Sequence, residues 1–157
     1  MKKFSDEIIR FFQSQGCVIV STIDRHGFPH SSCKGIVQIN ADGRIFLLDV
    51  YRAKTQDNLK ANPHVSITAV DEHKFRGYCL KGKAEMFSDA QLTEEILKSW
   101  ETRLTSRVTH RLLKNLKEEK GHPRHPELSL PKPKYLIVVE VEEVVDLTPA
   151  HLKEKGK

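Results

Sequence analysis

Residues 27–63, GFPHSSCKGIVQINADGRIFLLDVYRAKTQDNLKANP, constrain the fold more than any other part of the chain. Two runs ending in β-branched and apolar residues flank Asn40-Ala41-Asp42-Gly43, a tight-turn sequence that brings them together as antiparallel neighbours. The second run leads almost at once into residues 53–61, where the spacing becomes helical with Leu59 as the inward residue. Asn62-Pro63 then stops the helix. A hairpin joined so tightly to a short helix leaves few places for the rest of the chain. It must either close a sheet around the hairpin or cover it.

The remaining segments supply that sheet. Residues 3–15 carry Phe4, Ile8, Ile9, Phe11 and Phe12 at helical spacing, with Ser5 or a neighbour as cap and Gly16 as stop. Residues 17–23 (CVIVSTI) read as a buried strand, followed by the turn Asp24-Arg25-His26-Gly27. A second strand spans 30–39, small and polar first, then apolar, and a third spans 44–50. Strands four and five cover 65–70 and 77–87, with Gly82 marking a bend or bulge. Ser88 and Gln91 form a capping-box pair ahead of helical spacing in two segments, 90–103 and 105–119. Residues 121–133 hold four of the seven prolines and cross irregularly to a last strand at 135–145. Residues 148–157 are a polar tail. Six strands joined mostly by tight turns predict a closed or partly closed antiparallel barrel with flanking helices.

Size and charge narrow the classes. A chain of 157 residues, 38% hydrophobic and 30% charged, suits one soluble domain with a single core. No apolar run approaches the ~20 residues of a membrane span. Lys2 and Lys3 are followed by Asp6 and Glu7 before any apolar run develops, so no secretory signal is expected and a cytoplasmic location is. Cys17, Cys33 and Cys79 are scattered and odd in number, which predicts free thiols and no structural zinc. The net charge of +5 is spread along the chain without a basic tail or basic-aromatic interleaving, so nucleic acid is not the expected partner.

The chemistry concentrates at Arg52-Ala53-Lys54-Thr55. Two cations and a hydroxyl sit at a helix start whose unpaired N–H groups favour an anion such as a phosphate. Ser31, Ser32 and Lys34 on the neighbouring strand add donors, and Asn58 lies one helical turn beyond Lys54. Gly35 lets something approach the backbone closely. The plainer reading of the same residues is two solvated cations and an N-cap threonine. Trp100 could stack on a ring or simply anchor a helix. Cys33 could touch a ligand or fill space, and His122 and His125 could bind metal or haem iron or lie in a surface loop. No Ser-His-Asp arrangement, paired-acid spacing, P-loop or GxGxxG is present.

The ordered set DRHGFPH, DGRIFLLDV, Lys54, Asn58-Leu59, Asn62-Pro63, VSITAV and GKAE at 82–85 resembles the pyridoxamine 5′-phosphate oxidase-like, FMN-binding split β-barrel family. The resemblance covers residues 4–87, with 135–146 in place as the closing strand. It implies a mainly β, six-stranded antiparallel split β-barrel formed by one domain over 1–157, with a helical insertion at about 89–120. It further implies a homodimer with FMN at the subunit interface. Ser31, Ser32, Cys33 and Lys34 would run along the flavin ring, and Leu48 and Asp49 would line the ring or ribityl chain. Arg52, Lys54 and Thr55 would hold the phosphate, with Asn58 beside them, and the partner would contribute its Arg76 and Gly77 region. Relatives on this fold bind haem or a deazaflavin, which leaves a haem carrier as the alternative to a flavin-dependent oxidoreductase. The oxidase proper has an arginine at the position of Ser32 and an Arg-x-His element near its C-terminus. Neither is present, so turnover of pyridoxamine 5′-phosphate is not expected.

Overall fold

The structure, a computed structural model, describes residues 2–51, 53–117 and 126–153; the side chains of Glu127 and Leu128 are not among what it describes. Helix α1 (Asp6–Ser14) begins where the Ser5 hydroxyl accepts from the Ile8 amide at 3.4 Å. Its apolar stripe puts Phe12 fully out of solvent and packs Ile8, Ile9 and Phe11 against the core. Phe11 meets the ring of Tyr78 edge-on at 5.0 Å.

Seven strands follow: β1 (Val18–Ile23), β2 (Pro29–Lys34), β3 (Ile36–Ile39), β4 (Arg44–Asp49), β5 (His64–Asp71), β6 (Arg76–Ser88) and β7 (Tyr135–Asp146). They form one antiparallel sheet in the order β2-β1-β5-β6-β7-β4-β3, curled into a split barrel. The expected count was six. The difference lies at Gly35, where the single strand expected over 30–39 breaks, so that β2 pairs with β1 and β3 pairs with β4. The two halves therefore end the sheet on opposite sides of the split. A further irregularity leaves Val37 as an extra residue between the pairs Ile36–Leu47 and Gln38–Phe46.

The barrel interior is filled by Val20, Ile45, Leu47, Ile67, Leu80, Ile137, Val139 and Val141, all without exposure. Burying each such side chain contributes roughly 1.5–3 kcal/mol. Gly82 sits at a bulge where β6 passes from the Lys81–Glu143 pair to the Gly82–Val141 pair, skipping Glu142. A Cβ there would stand 2.0 Å from the Glu140 carbonyl oxygen, so only glycine lets the strands stay paired through the bend.

Two helices complete the described chain. Helix α2 (Lys54–Ala61) lies beside β1 and β2. Helix α3 (Glu94–Leu116) is one continuous helix rather than two segments. Thr93 caps it through the Ile96 amide at 3.4 Å, while the Ser88–Gln91 pair closes a short 3-10 turn at Asp89–Gln91. The first half of α3 covers a second apolar cluster of Val37, Leu48, Ile96 and Leu136, with Phe46, Phe87 and Trp100 packed against it. The irregular crossing includes a 3-10 turn at Pro126–Ser129. Arg52, His122 and His125 fall outside the described residues.

Candidate functional site

The break at Gly35 leaves a cavity of about 520 Å³ between β2, the end of β4, the start of α2 and the half-buried face of α3. That volume is within the usual range for small-molecule sites. Ser32, Cys33, Lys34, Leu48, Asp49, Lys54 and Thr55 all line it. Ser31 and Asn58 do not, and Arg76 and Gly77, expected to reach the site from a partner subunit, lie elsewhere in this chain. Ser31 lies on the face of β2 away from Ser32 and Lys34 and shares a 2.9 Å hydrogen bond with Ser21. Asn58 turns into the protein, where its amide donates to the Thr22 hydroxyl at 3.0 Å. Arg76 ion-pairs with Glu7 at the far end of β6, and Gly77 packs beside Val70 and the Ala69 carbonyl.

At the floor of the cavity Lys34 and Asp49 are ion-paired, with both side chains 9% exposed. Tyr135, buried on β7, donates its hydroxyl to the same Asp49 oxygen at 2.7 Å, and the Tyr51 amide donates to the other oxygen at 3.2 Å. Burial, reinforced by the hydrogen bond to Asp49, pushes the Tyr135 phenol far above its ordinary range, so it stays protonated. The lysine charge is thereby directed at Asp49, and the floor offers little net charge to a ligand.

The cation end lies at α2. Ala53 occupies the N-cap position and makes no side-chain cap hydrogen bond, so the helix start is left open towards the cavity. Thr55 is buried within the first turn and shares a 3.1 Å hydrogen bond with Ser32 across to β2. Lys54 stands beside it, exposed. The apolar walls come from Ile36, Val37 and Leu48, and from Trp100, Leu104 and Leu130 on the other side.

Cys33 lies near Cys17, which also lines the cavity. Cys33 is exposed on its side of β2, yet partial desolvation of its thiol, with a further contribution from the Cys17 thiol, pushes it up to about 11. Thiolate chemistry at neutral pH is therefore suppressed. Among the described residues no cluster of histidine, cysteine or carboxylate side chains is placed to hold a metal, and no helix is long and apolar enough to cross a membrane.

On the α3 side of the cavity, sequence reasoning singled out Trp100 but missed Arg103, Leu104 and Arg107. Trp100, Arg103, Leu104 and Arg107 repeat at helical spacing and share one face, a signal present in the sequence as WxxRLxxR. The group that approaches Gly35 closely is Arg107, whose guanidinium nitrogen would be 3.2 Å from a Cβ at that position.

The fold has known counterparts. HupZ of Group A Streptococcus superposes with a TM-score of 0.68 at 19% identity, covering 92% of this chain and 94% of that one. A protein of Clostridium acetobutylicum related to general stress protein 26 gives 0.59 at 18%, covering 89% and 84%. HutZ, the haem storage protein of Vibrio cholerae, gives 0.54 at 21%, covering 92% and 94%. At these identities the likeness concerns the fold. No curated protein matches the sequence significantly. The profile of the pyridoxamine 5′-phosphate oxidase family matches residues 4–147, and the chain belongs to that family.

Proposed function

We propose that the cavity binds FMN and that the protein is an FMN-dependent oxidoreductase acting on a small organic molecule. The observation that carries this reading is the meeting, in one cavity, of an open helix start bearing Lys54 and Thr55 with a small-residue strand and apolar walls. The residues fit the group from end to end. Lys54, Thr55 and the first amides of α2, with Arg52 from the sequence, would hold the phosphate. The backbone of residues 32–34 would meet the polar edge of the ring, and Val37, Leu48 and Trp100 would shield its apolar body from water.

Bound FMN supplies two-electron chemistry, and the protein's part is to hold, orient and shield. Asp49, balanced by Lys34 and Tyr135, presents a neutral polar patch rather than a base. No side chain is assigned an obligatory proton transfer. Oxidation of pyridoxamine 5′-phosphate is not proposed, because Ser32 stands where that enzyme carries an arginine and 135–146 lacks its Arg-x-His element.

The same reading includes a cytoplasmic homodimer. Strand pairing places Ile19, Ser21 and Ile23 of β1 on one face with Ser31 and Cys33 of β2 and Ser66, Thr68 and Val70 of β5. Ile19, Ile23 and Val70 are exposed there, an apolar patch bordered by Lys81 of β6 beside Ser66, which suits a partner subunit better than water. Cys33 belongs both to this face and to the cavity, so a partner seated here would border the ligand.

The test is a visible spectrum of the purified protein with a fluorescence titration of FMN. A flavin band pair, or micromolar binding, supports the reading; a colourless protein that does not bind FMN ends it. A second reading, a haem carrier without turnover, draws support from the fold likeness to HutZ. It predicts a single intense Soret band instead.

A further inference from the structure

Two guanidinium groups project from α3 into the cavity with no acid among the described residues to balance them. Arg103 and Arg107 are both half-buried, one helical turn apart, and neither forms an ion pair with a carboxylate among the described residues. Burial, and secondarily the charge of Arg107, pulls the Arg103 guanidinium down from its ordinary range. Two like charges held partly out of water raise the energy of the empty site, and an anion between them lowers it. Other cations of the site differ in this respect. Lys34 is already neutralised by Asp49, and Lys54 belongs to the helix start across the cavity.

The arginines also have a geometry. Gly35 has no side chain, and Arg107 lies against its backbone in the space a Cβ would contest. Trp100 and Leu104, on the same face of α3, supply an aromatic and an aliphatic surface next to the charges. A flat apolar body against Trp100 with an anionic group towards the guanidinium forks fits this arrangement, because arginine binds carboxylates and phosphates in bidentate fashion.

We propose that Arg103 and Arg107 are a recognition pair for the carboxylate or phosphate of an aromatic substrate, and so set the substrate class of the cavity. The inference rests on the same cavity as the flavin reading, but on α3 rather than on α2 and β2.

The test titrates FMN-loaded protein by calorimetry with 2-naphthoate, 2-naphthyl phosphate and neutral 2-naphthamide. The charged probes bind about tenfold or more tightly than the amide, as a charge-assisted bidentate contact requires. The better of the two anions identifies which group the pair takes. In the doubly substituted R103Q/R107Q protein the preference disappears while FMN affinity stays within about twofold, since only neutral hydrogen bonding remains. The R103K/R107K protein retains part of the preference, which separates loss of charge from loss of fold. Equal affinity for the three probes in the parent, or a preference that survives R103Q/R107Q, overturns the inference. So does a large loss of FMN affinity in that variant, which would assign the arginines to the cofactor's phosphate. If the parent takes up no FMN, the flavin reading fails alone. The titration then runs on the unloaded protein with Trp100 fluorescence as readout, and the same preference decides this inference.

Discussion

The Tyr135 hydroxyl donates to the Asp49 carboxylate at 2.7 Å across the β4–β7 pair, on the oxygen that also holds the Lys34 ammonium. Three strands thus converge on one carboxylate at the floor of the cavity. Removing its charge strands a buried cation, which costs about 3–5 kcal/mol. Asp49→Asn is therefore expected to lower the urea midpoint sharply. Tyr135→Phe loses a neutral-donor bond to a charged acceptor and costs about 1–3 kcal/mol. Replacing both charges, as K34M/D49L, is expected to recover most of the loss. Equilibrium unfolding of the four proteins checks the order.

Gly82 provides a second stability test. Ala at 82 puts a Cβ into the Glu140 carbonyl, and relieving the clash disturbs the longest strand pair of the sheet. Gly82→Ala is expected to cost about 3 kcal/mol, the upper part of the range for overpacking. Gly16→Ala meets nothing within 4 Å and is the control, expected within about 0.5 kcal/mol of the parent. Thermal melts of both variants decide.

The Cys33 thiol gives a pH prediction. Its folded value near 11 lies above the ordinary 9.0, so the neutral form is favoured and the thiolate appears only as pH rises towards 11. At pH 8 its alkylation by iodoacetamide is expected to be about 100-fold slower than that of an unhindered thiol, following the thiolate fraction. Cys17→Ala removes one of the upward contributions and is expected to speed the reaction. Peptide mass spectrometry over a pH series reads both.

At the cation end, Lys54→Gln is expected to weaken FMN about tenfold, the value of one charge-assisted contact. Lys60→Gln, exposed on the last turn of the same helix, should change little. Fluorescence titration of the two variants separates a local contact from a general effect of charge.

The proposed subunit contact is tested on β1. Ile19→Glu and Ile23→Glu place charge on the exposed apolar face while their side chains stay clear of the barrel interior. Sedimentation should shift from twice the chain mass to 18.0 kDa, with the circular dichroism unchanged.

What was readable in the sequence was what local chemistry decides. The hairpin at Asn40–Gly43, the Asn62-Pro63 stop and the bulge at Gly82 each follow from turn propensity or steric need. Strand number was misread because Gly35 interrupts a ladder only once the two halves have chosen different partners, which is a tertiary event. Asn58 was placed in the site because helical spacing sets it near Lys54. Spacing along α2 does not reveal that Thr22, thirty-six residues earlier, would claim its amide. The arginines of the α3 wall went unread beside Trp100 for a related reason: WxxRLxxR shows a face, but not what the face is turned towards.

The break at Gly35 has one more consequence. β2 and β3, consecutive in the chain, are the first and last strands of the sheet, so each has one side of its ladder with no strand beside it. For most sheets such rims are templates for another chain, and proteins blunt them with charges or cover them. Here residues 32–37 border the cavity instead, and in the proposed reading the unpaired amides and carbonyls of that rim would meet the ligand. A planar molecule with alternating donors and acceptors along one side satisfies that rim as an added strand would. Filling the cavity and protecting the rim from stray strand addition are then one event.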